Sequence, residues 1–338
     1  MGILSAVIIF LLVVMLHEFG HFTVAKLVGI KVNEFSIGMG PSILNKKSAE
    51  TKYSLRLLPI GGYVAMEGES EESKDPRAFS SVGVGKRLAV VVAGAFMNFV
   101  LAVFAFLILN LISGYPTSTI GNFTDISPAR DAGLLAGDKI IQIDGKNVNT
   151  WEDITSFIAY KTSNDIELKA MRDGEEIKFN VKLNTIKEEG KAERKVIGIM
   201  PKNEFNFIKS ITNAFATTGN VISSVYKALW TMLNGGFKTT DLSGPLGVIS
   251  FIGKQSKEGI TPLIATLGLI SANLGVMNLL PLSPLDGGKA VFLLIEAIRG
   301  KKVNAKIEEK FSLIGFVALF GLMIYVTIFS DLKRIIGW

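Results

Sequence analysis

No cysteine occurs among the 338 residues, so the chain can form neither a disulfide nor a thiolate metal site. Histidine is almost as scarce: there are two, His17 and His21, and they stand in one stretch of five residues. Charge is thin as well, with 20% charged residues against 49% hydrophobic ones and a mean hydropathy of +0.40. Soluble domains rarely combine these values, whereas several membrane spans within an otherwise ordinary sequence produce them. The net charge of +6 comes without a basic stretch interleaved with aromatics, which argues against a nucleic-acid partner. No internal repeat is present, which argues against a transporter built from matching halves.

What is present begins with His17-Glu18-Phe19-Gly20-His21, directly after the apolar run Ile3 to Leu16. Residues four apart share a helix face, so both imidazoles can point at one ion. Glu18 is the one acid in the first thirty residues, and it sits where H-E-x-x-H metalloproteases carry their general base. Burying such groups in an apolar helix costs several kcal/mol unless they are paired or bind a metal. A pair of satisfied core histidines is the plainer alternative; a zinc hydrolase with its site inside a membrane is the sharper one.

Four segments are long and apolar enough to enter a bilayer: about Ile3 to Val28, Leu88 to Ile112, Pro262 to Ile298 and Phe311 to Phe329. The first has no basic leader and no small-residue cleavage site, and is expected to be retained. Lysines and arginines crowd the loops between the first two spans (Lys26 to Arg87) and the last two (Arg299 to Lys310). Both loops are therefore expected in the cytoplasm, with the amino terminus and segment 113–261 outside and the histidines nearer the cytoplasmic face. Lys333 and Arg334 vote the other way but are outnumbered.

The loop 29–87 reads as two short strands, Val32 to Gly38 and Lys52 to Leu58, turned by Gly38, Gly40 and Pro41. A surface hairpin without function is one reading. A hairpin dipping toward the metal helix, with Lys52–Leu58 as an exposed edge able to capture an unwound peptide, is the other. Glu67 to Asp75 is expected to be flexible and solvated.

Segment 113–203 changes character. Gly137-Asp138-Lys139-Ile140-Ile141-Gln142-Ile143-Asp144-Gly145 is an alternating strand ending in an Asp-Gly turn. A short helix at Trp151 to Ala159 follows, then strands at Ile166 to Met171 and Ile177 to Leu183 around Asp173-Gly174. This order resembles a PDZ domain. Residues 204–261 are expected to be an amphipathic helix (Ile211, Phe215, Ile222, Val225, Leu229, Leu233) and a linker, with the glycine-rich Asp241 to Gly247 returning to the membrane. Segment 262–338 holds the last two spans.

The third span carries Asn278-Leu279-Leu280-Pro281-Leu282-Ser283-Pro284-Leu285-Asp286-Gly287-Gly288, and two prolines so close cannot sit in an undisturbed helix. Non-helical backbone at membrane depth is tolerated where protein buries it or it lines a wet cavity, and an intramembrane acid marks function. Two neutral histidines leave a catalytic zinc short of one protein ligand, which Asp286 can supply. A proline-kinked helix with Asp286 at the interface is the structural alternative.

The "HEFGH" helix, "LPIGGYVAMEGE", "GAFMN", the PDZ-like stretch and "NLLPLSPLDGG" stand in an order and spacing that resemble the intramembrane site-2 proteases, in particular the PDZ-bearing bacterial branch that includes the regulator of sigma-E protease. The resemblance implies a polytopic α-helical membrane protein with about four transmembrane segments, the third broken, a membrane-associated β-hairpin loop and one extracytoplasmic PDZ-like α+β domain. It implies one Zn2+ held by His17, His21 and Asp286, Glu18 as the catalytic glutamate, and Asn98 and Asn278 holding substrate or steadying the reacting carbonyl. The strand with Tyr53, Leu55 and Leu57 would match the re-entrant β-element that meets substrate. Expected partners are the lipid bilayer, single-span membrane proteins cut within their spans (anti-sigma factors or leftover signal peptides), and a peptide or substrate ectodomain at the PDZ-like domain. Ala95 stands where relatives often carry proline, and there is room for one PDZ-like domain where the best-studied branch has two. Scaffold and transporter readings remain the rivals; replacing Glu18 with Gln separates a scaffold from a protease.

Overall fold

The computed structural model describes residues 2–69, 71, 73–159, 161, 163–186, 194–235 and 243–333. In chain order the first elements are α1 (Gly2–Leu27), β1 (Val32–Ser48), β2 (Thr51–Met66), α2 (Val84–Ser113), β3 (Tyr115–Phe123), α3 (Pro128–Asp131), β4 (Lys139–Ile143), β5 (Lys146–Asn147) and α4 (Trp151–Ala159). Strands β6 (Asp165–Arg172), β7 (Glu175–Lys182), β8 (Asn184–Ile186), β9 (Arg194–Val196) and β10 (Ile199–Glu204) follow. The remainder is helical: α5 (Phe207–Leu233), α6 (Pro245–Glu258), α7 (Ile260–Asn278), α8 (Asp286–Arg299) and α9 (Ala305–Val326), the last running into a π-helical turn at Thr327–Leu332. They form two compact units, one from the first 106 residues with the stretch after residue 220, the other from residues 107–220.

In the first unit, four described helices are long and apolar enough to cross a membrane: Gly2–Leu27, Val84–Ser113, Ile260–Asn278 and Lys306–Leu332. The 19 residues of α7 span about 28 Å at 1.5 Å per residue, close to the thickness of a bilayer core. The third expected span is broken as the prolines require. Helix α7 stops at Asn278, Leu279–Leu285 turn, and α8 restarts at Asp286. The helices pack through small residues and buried polar links. Gly20 of α1 lies so close to the Ala93 carbonyl of α2 that a Cβ there would overlap it. Between α2 and α7, Ser271 Oγ donates to the Asn98 carbonyl at 2.7 Å.

The stretch expected as a linker before α7 contains a helix. Pro245 sits in the first turn of α6, whose Ile252 buries against Ala6, Ile9 and Val13 of α1. Asp331, itself buried, accepts the Gly244 N–H at 3.0 Å and so ties the start of α6 to the π-helical turn. Of the glycine-rich segment, Asp241 and Leu242 lie outside the described residues.

The loop strands are longer than expected and pair differently. Residues 34–37 lie between 62–65 on one side and 52–55 on the other, while 44–48 pair with 51–55. Lys52–Leu55 is therefore flanked on both sides, and the expectation of a free edge there is corrected: its backbone groups already face neighbouring segments. Among the described residues the unflanked segments are 42–48 and 62–66. Glu67–Asp75 also departs from expectation at its described positions. Ser73 Oγ and Asn33 Nδ2 donate to Glu67 at 2.6 and 3.0 Å, and Lys31 Nζ reaches Glu67 and Asp75 at 3.2 and 3.4 Å. The Glu67 carboxyl is pulled down to about 2 by these hydrogen bonds, from Ser73 first, then Asn33 and Lys31. Ser70 and Glu72 lie outside the described residues.

The second unit is β-rich, with strand order β10-β3-β4-β6-β7 and β5 paired to β4. Its core is aliphatic: Ile120, Leu134, Ile140, Ile143, Ile154, Leu168 and Val181 are all fully buried. The strand, turn and helix order expected between Gly137 and Leu183 is present. Both Asp-Gly turns have positive φ at both residues (46° and 78° at Asp144-Gly145, 50° and 89° at Asp173-Gly174), the backbone that closes a tight hairpin with right-handed twist. Apolar side chains of α5 such as Phe207, Phe215, Tyr226 and Trp230 stay exposed while Ser210, Ala214 and Thr218 are buried.

Candidate metal centre

Helix α1 has neither proline nor an interior charge before Glu18, so the helical period is uninterrupted where the site begins. One turn separates His17 from His21, and their rings meet edge to face with centroids 4.8 Å apart. The two Nε2 atoms are 3.2 Å apart. Asp286 Oδ2 lies 3.2 Å from His17 Nε2 and 3.3 Å from His21 Nε2. Zinc bonds of about 2.0–2.1 Å at tetrahedral angles place neighbouring ligand atoms roughly 3.3–3.4 Å apart, so this triangle has the dimensions of one face of a zinc tetrahedron.

The donor chemistry agrees. His21 Nδ1–H donates to the Val90 carbonyl at 2.8 Å, which leaves the Nε2 lone pair aimed at the triangle. Asp286 Oδ2 is buried and has no hydrogen-bond donor among the described residues. Two ring nitrogens and a carboxylate oxygen thus converge on one point, and where both nitrogens carry lone pairs the arrangement repels unless a cation stands there. The residues fit zinc with its fourth position open.

Helix α2 can approach this closely because of Gly94. A Cβ there would collide with both imidazoles, with His17 Cε1 at 2.6 Å and with His21 Nε2 nearer still. Asp286 is the first residue of α8, where the helix dipole favours an acid. Gly287 lets that turn fold back on α7, since a Cβ would overlap the Leu279 and Leu280 carbonyls.

Comparison with known proteins is decisive at this point. Residues 5–322 match peptidase family M50. The chain belongs to that family. It is 40% identical over 330 residues to a protein of Clostridium acetobutylicum named as a zinc metalloprotease, covering 97% of this chain and 96% of that one. It is 30% identical over 414 residues to zinc metalloprotease RasP of Geobacillus kaustophilus, and 29% identical over 416 residues to the regulator of sigma-W protease RasP of Bacillus subtilis, with 98% of each chain covered in both cases. A solved PDZ domain of an SdrC-like protein from Listeria monocytogenes is 25% identical, covering 26% of this chain and 88% of that one with a TM-score of 0.22. The protein is a zinc metalloprotease of family M50.

The rest of this M50 site is a cleft of about 150 Å³ whose lining includes His17, Glu18, His21, Asp286, Val64 and Met66. That is smaller than the roughly 300–1,000 Å³ of a ligand pocket, so a peptide is not accommodated without opening. The strand 62–66 passes directly over the glutamate: a Cβ on Gly62 would stand 3.5 Å from Glu18 Cγ. The unflanked strand and the general-base candidate therefore share one wall. Aromatic contacts hold the sheet to α1, with Phe22 5.1 Å from Phe35 and 6.0 Å from Tyr53 between ring centroids.

The structure brings His17, Glu18, His21 and Asp286 together, with Asn98 and Asn278 beside them. Asn98 Nδ2 lies 3.2 Å and Asn278 Nδ2 3.3 Å from His17 Nδ1. Asn98 is wholly buried against the ring of His17 and is not among the residues that line the cleft. Asn278 is part-buried. Tyr53 meets Phe22 edge to face in the aromatic cluster, Leu55 on the doubly flanked segment and Leu57 beyond it are exposed (44% and 58%), and none of the three lines the cleft.

Several residues escaped the sequence reading. Lys289 lines the cleft and pairs with Glu69 at 2.6 Å; its position one turn beyond Asp286 was the available signal. Arg87 forks onto Glu296 at 3.0 and 2.5 Å, joining the start of α2 to the end of α8 with both side chains nearly buried. Gly94 was visible within "GAFMN", but not its closeness to the imidazoles. The Val90 carbonyl has no sequence signal, since every residue carries one.

Proposed function

We propose that the protein is an intramembrane endopeptidase that hydrolyses peptide bonds within or near the spans of single-span membrane proteins, with zinc held by His17, His21 and Asp286 and Glu18 as its general base. The triangle of ligand atoms with edges of 3.2 to 3.3 Å carries this reading. The helices that bear these atoms support placement of the site within the bilayer.

Zinc bound there supplies Lewis acidity, lowering the pKa of water to about 7 and polarising the scissile carbonyl. Glu18 takes the proton of the attacking water and returns it to the leaving nitrogen. Asn278, the part-buried amide, donates to the developing oxyanion. A helical substrate hides its carbonyls in i→i−4 bonds, so the scissile segment must unwind. The unflanked strand 62–66, which runs over Glu18, offers replacement hydrogen bonds by β-augmentation.

The distribution of lysine and arginine supports a multi-pass protein of the bacterial cell membrane, with the PDZ-like unit outside and the metal nearer the cytoplasmic face. The PDZ-like unit then receives a substrate's ectodomain or a new carboxyl terminus. The relationship to a regulator of sigma-W protease, together with the site-2 protease resemblance, points to regulated intramembrane proteolysis of anti-sigma factors or remnant signal peptides. The test is incubation of purified protein with a model single-span substrate, wild type against Glu18→Gln. Cleavage by the wild type alone, at equal zinc content, is expected; cleavage by both overturns the assignment.

A further inference from the structure

We propose that Asn98 is a positioning residue for zinc, its side-chain oxygen accepting the Nδ1–H of His17 and so fixing the tautomer that leaves Nε2 to the metal. This rests on the zinc assignment above and deepens it. A histidine bound to metal through Nε2 carries its remaining proton on Nδ1, and that proton needs an acceptor. His21 has one in the Val90 carbonyl at 2.8 Å. Among the described residues no carbonyl takes that place at His17; the groups at its Nδ1 are the amides of Asn98 and Asn278, at 3.2 and 3.3 Å.

The amide nitrogen of Asn98 opposite a protonated Nδ1 would set donor against donor. Asn98 Oδ1 meanwhile is buried without any partner. A half-turn of the carboxamide exchanges the two atoms and removes both faults at once, placing the oxygen on the imidazole N–H. Of the two asparagines, the wholly buried Asn98 is suited to this task, because water cannot replace it. Asn278, part-buried, is left for the reacting substrate. The division also explains why a polar side chain stands at the fully buried α1–α2 contact at all. Position 98 is held by its backbone in addition, through the Ser271 hydroxyl on its carbonyl, so side-chain changes leave the α2–α7 link in place.

The test uses the full chain in detergent, with zinc affinity read by chelator competition and imidazole N–H resonances read after 15N-histidine labelling. With two histidines in the chain, the zinc-loaded wild type is expected to show two slowly exchanging Nδ1–H signals. Asn98→Leu, of the same branched shape but without an acceptor, is expected to weaken zinc binding roughly 10- to 100-fold and to lose one of the two signals. Asn98→Asp, which keeps an acceptor, restores both; Asn278→Leu keeps wild-type zinc affinity. Wild-type zinc binding by Asn98→Leu, or a single protected signal in the wild type, overturns the proposal, and so does an Asn98→Asp variant as weak as Asn98→Leu. His17→Ala separates the two levels. If it too binds zinc like the wild type, the metal assignment fails; if it alone loses zinc, only the role of Asn98 fails.

Discussion

The two units differ in what their buried charged and ligating groups face. In residues 107–220 the core is aliphatic, and the buried acid Asp138 is neutralised at its edge by Arg172 at 2.6 Å and by the Leu135 N–H. In the other unit His17, His21, Asn98, Ser271 and Arg87 are buried between helices, and ring nitrogens of His17 and His21 face the Asp286 carboxylate. A β-rich unit satisfies its backbone through its ladders. A helical unit that must do chemistry inside itself has to carry polar atoms inward and give each a fixed partner. Substitutions at the metal site of the helical unit should therefore cost metal or catalysis, whereas those in the β-rich core, and at structural pairs such as Arg87–Glu296, should cost stability.

The sharpest way to break that contrast is at Gly94. Gly94→Val forces α2 off the imidazoles and is expected to abolish both zinc content and substrate cleavage; retention of zinc would show that the helices tolerate separation. Next in size is Glu18→Gln, expected to lower the cleavage rate by about 10²–10⁴-fold while zinc per chain stays at the wild-type level. Arg87→Ala leaves Glu296 buried without its partner and is expected to destabilise the helical unit by about 3–5 kcal/mol, read from its unfolding transition. In the β-rich unit, Leu134→Ala should cost about 2–5 kcal/mol, read as faster hydrogen exchange across β4 and β6 in the full chain, with zinc content unchanged.

The smallest effect concerns acid. Because Glu67 is held at about 2 against an ordinary 4.5, its contribution is complete above 4.5 and is lost as pH falls from there toward 2. Exchange of the Glu67 amide, which donates to the Lys31 carbonyl at 2.9 Å, should rise over that interval after correction for intrinsic rates, and Glu67→Gln should flatten the dependence.

The features legible in the sequence were those with a local cause. The helical period of His17 and His21, the prolines that break the third span ahead of Asp286, and the Asp-Gly hairpins each follow from a few neighbouring residues. What stayed hidden depends on distant partners. The flanking of Lys52–Leu55 on both sides arises because residues 34–37 pair twice, which no alternation of side chains announces. Helix α6 was masked by Gly244, Pro245, Gly247 and Gly253, read as a linker although Pro245 occupies a helical first turn. The turning of Asn98 toward His17 depends on the register between α1 and α2, set by the close approach at Gly20 and Gly94.

The most direct test of the central claim is zinc K-edge X-ray absorption on the purified full chain. Two imidazole nitrogens and the remainder oxygen, at about 2.0–2.1 Å in four-fold coordination, is the predicted first shell, with Asp286→Ala losing metal. A first shell holding fewer than two imidazoles, or an Asp286→Ala protein that keeps the wild-type spectrum and zinc content, would contradict it.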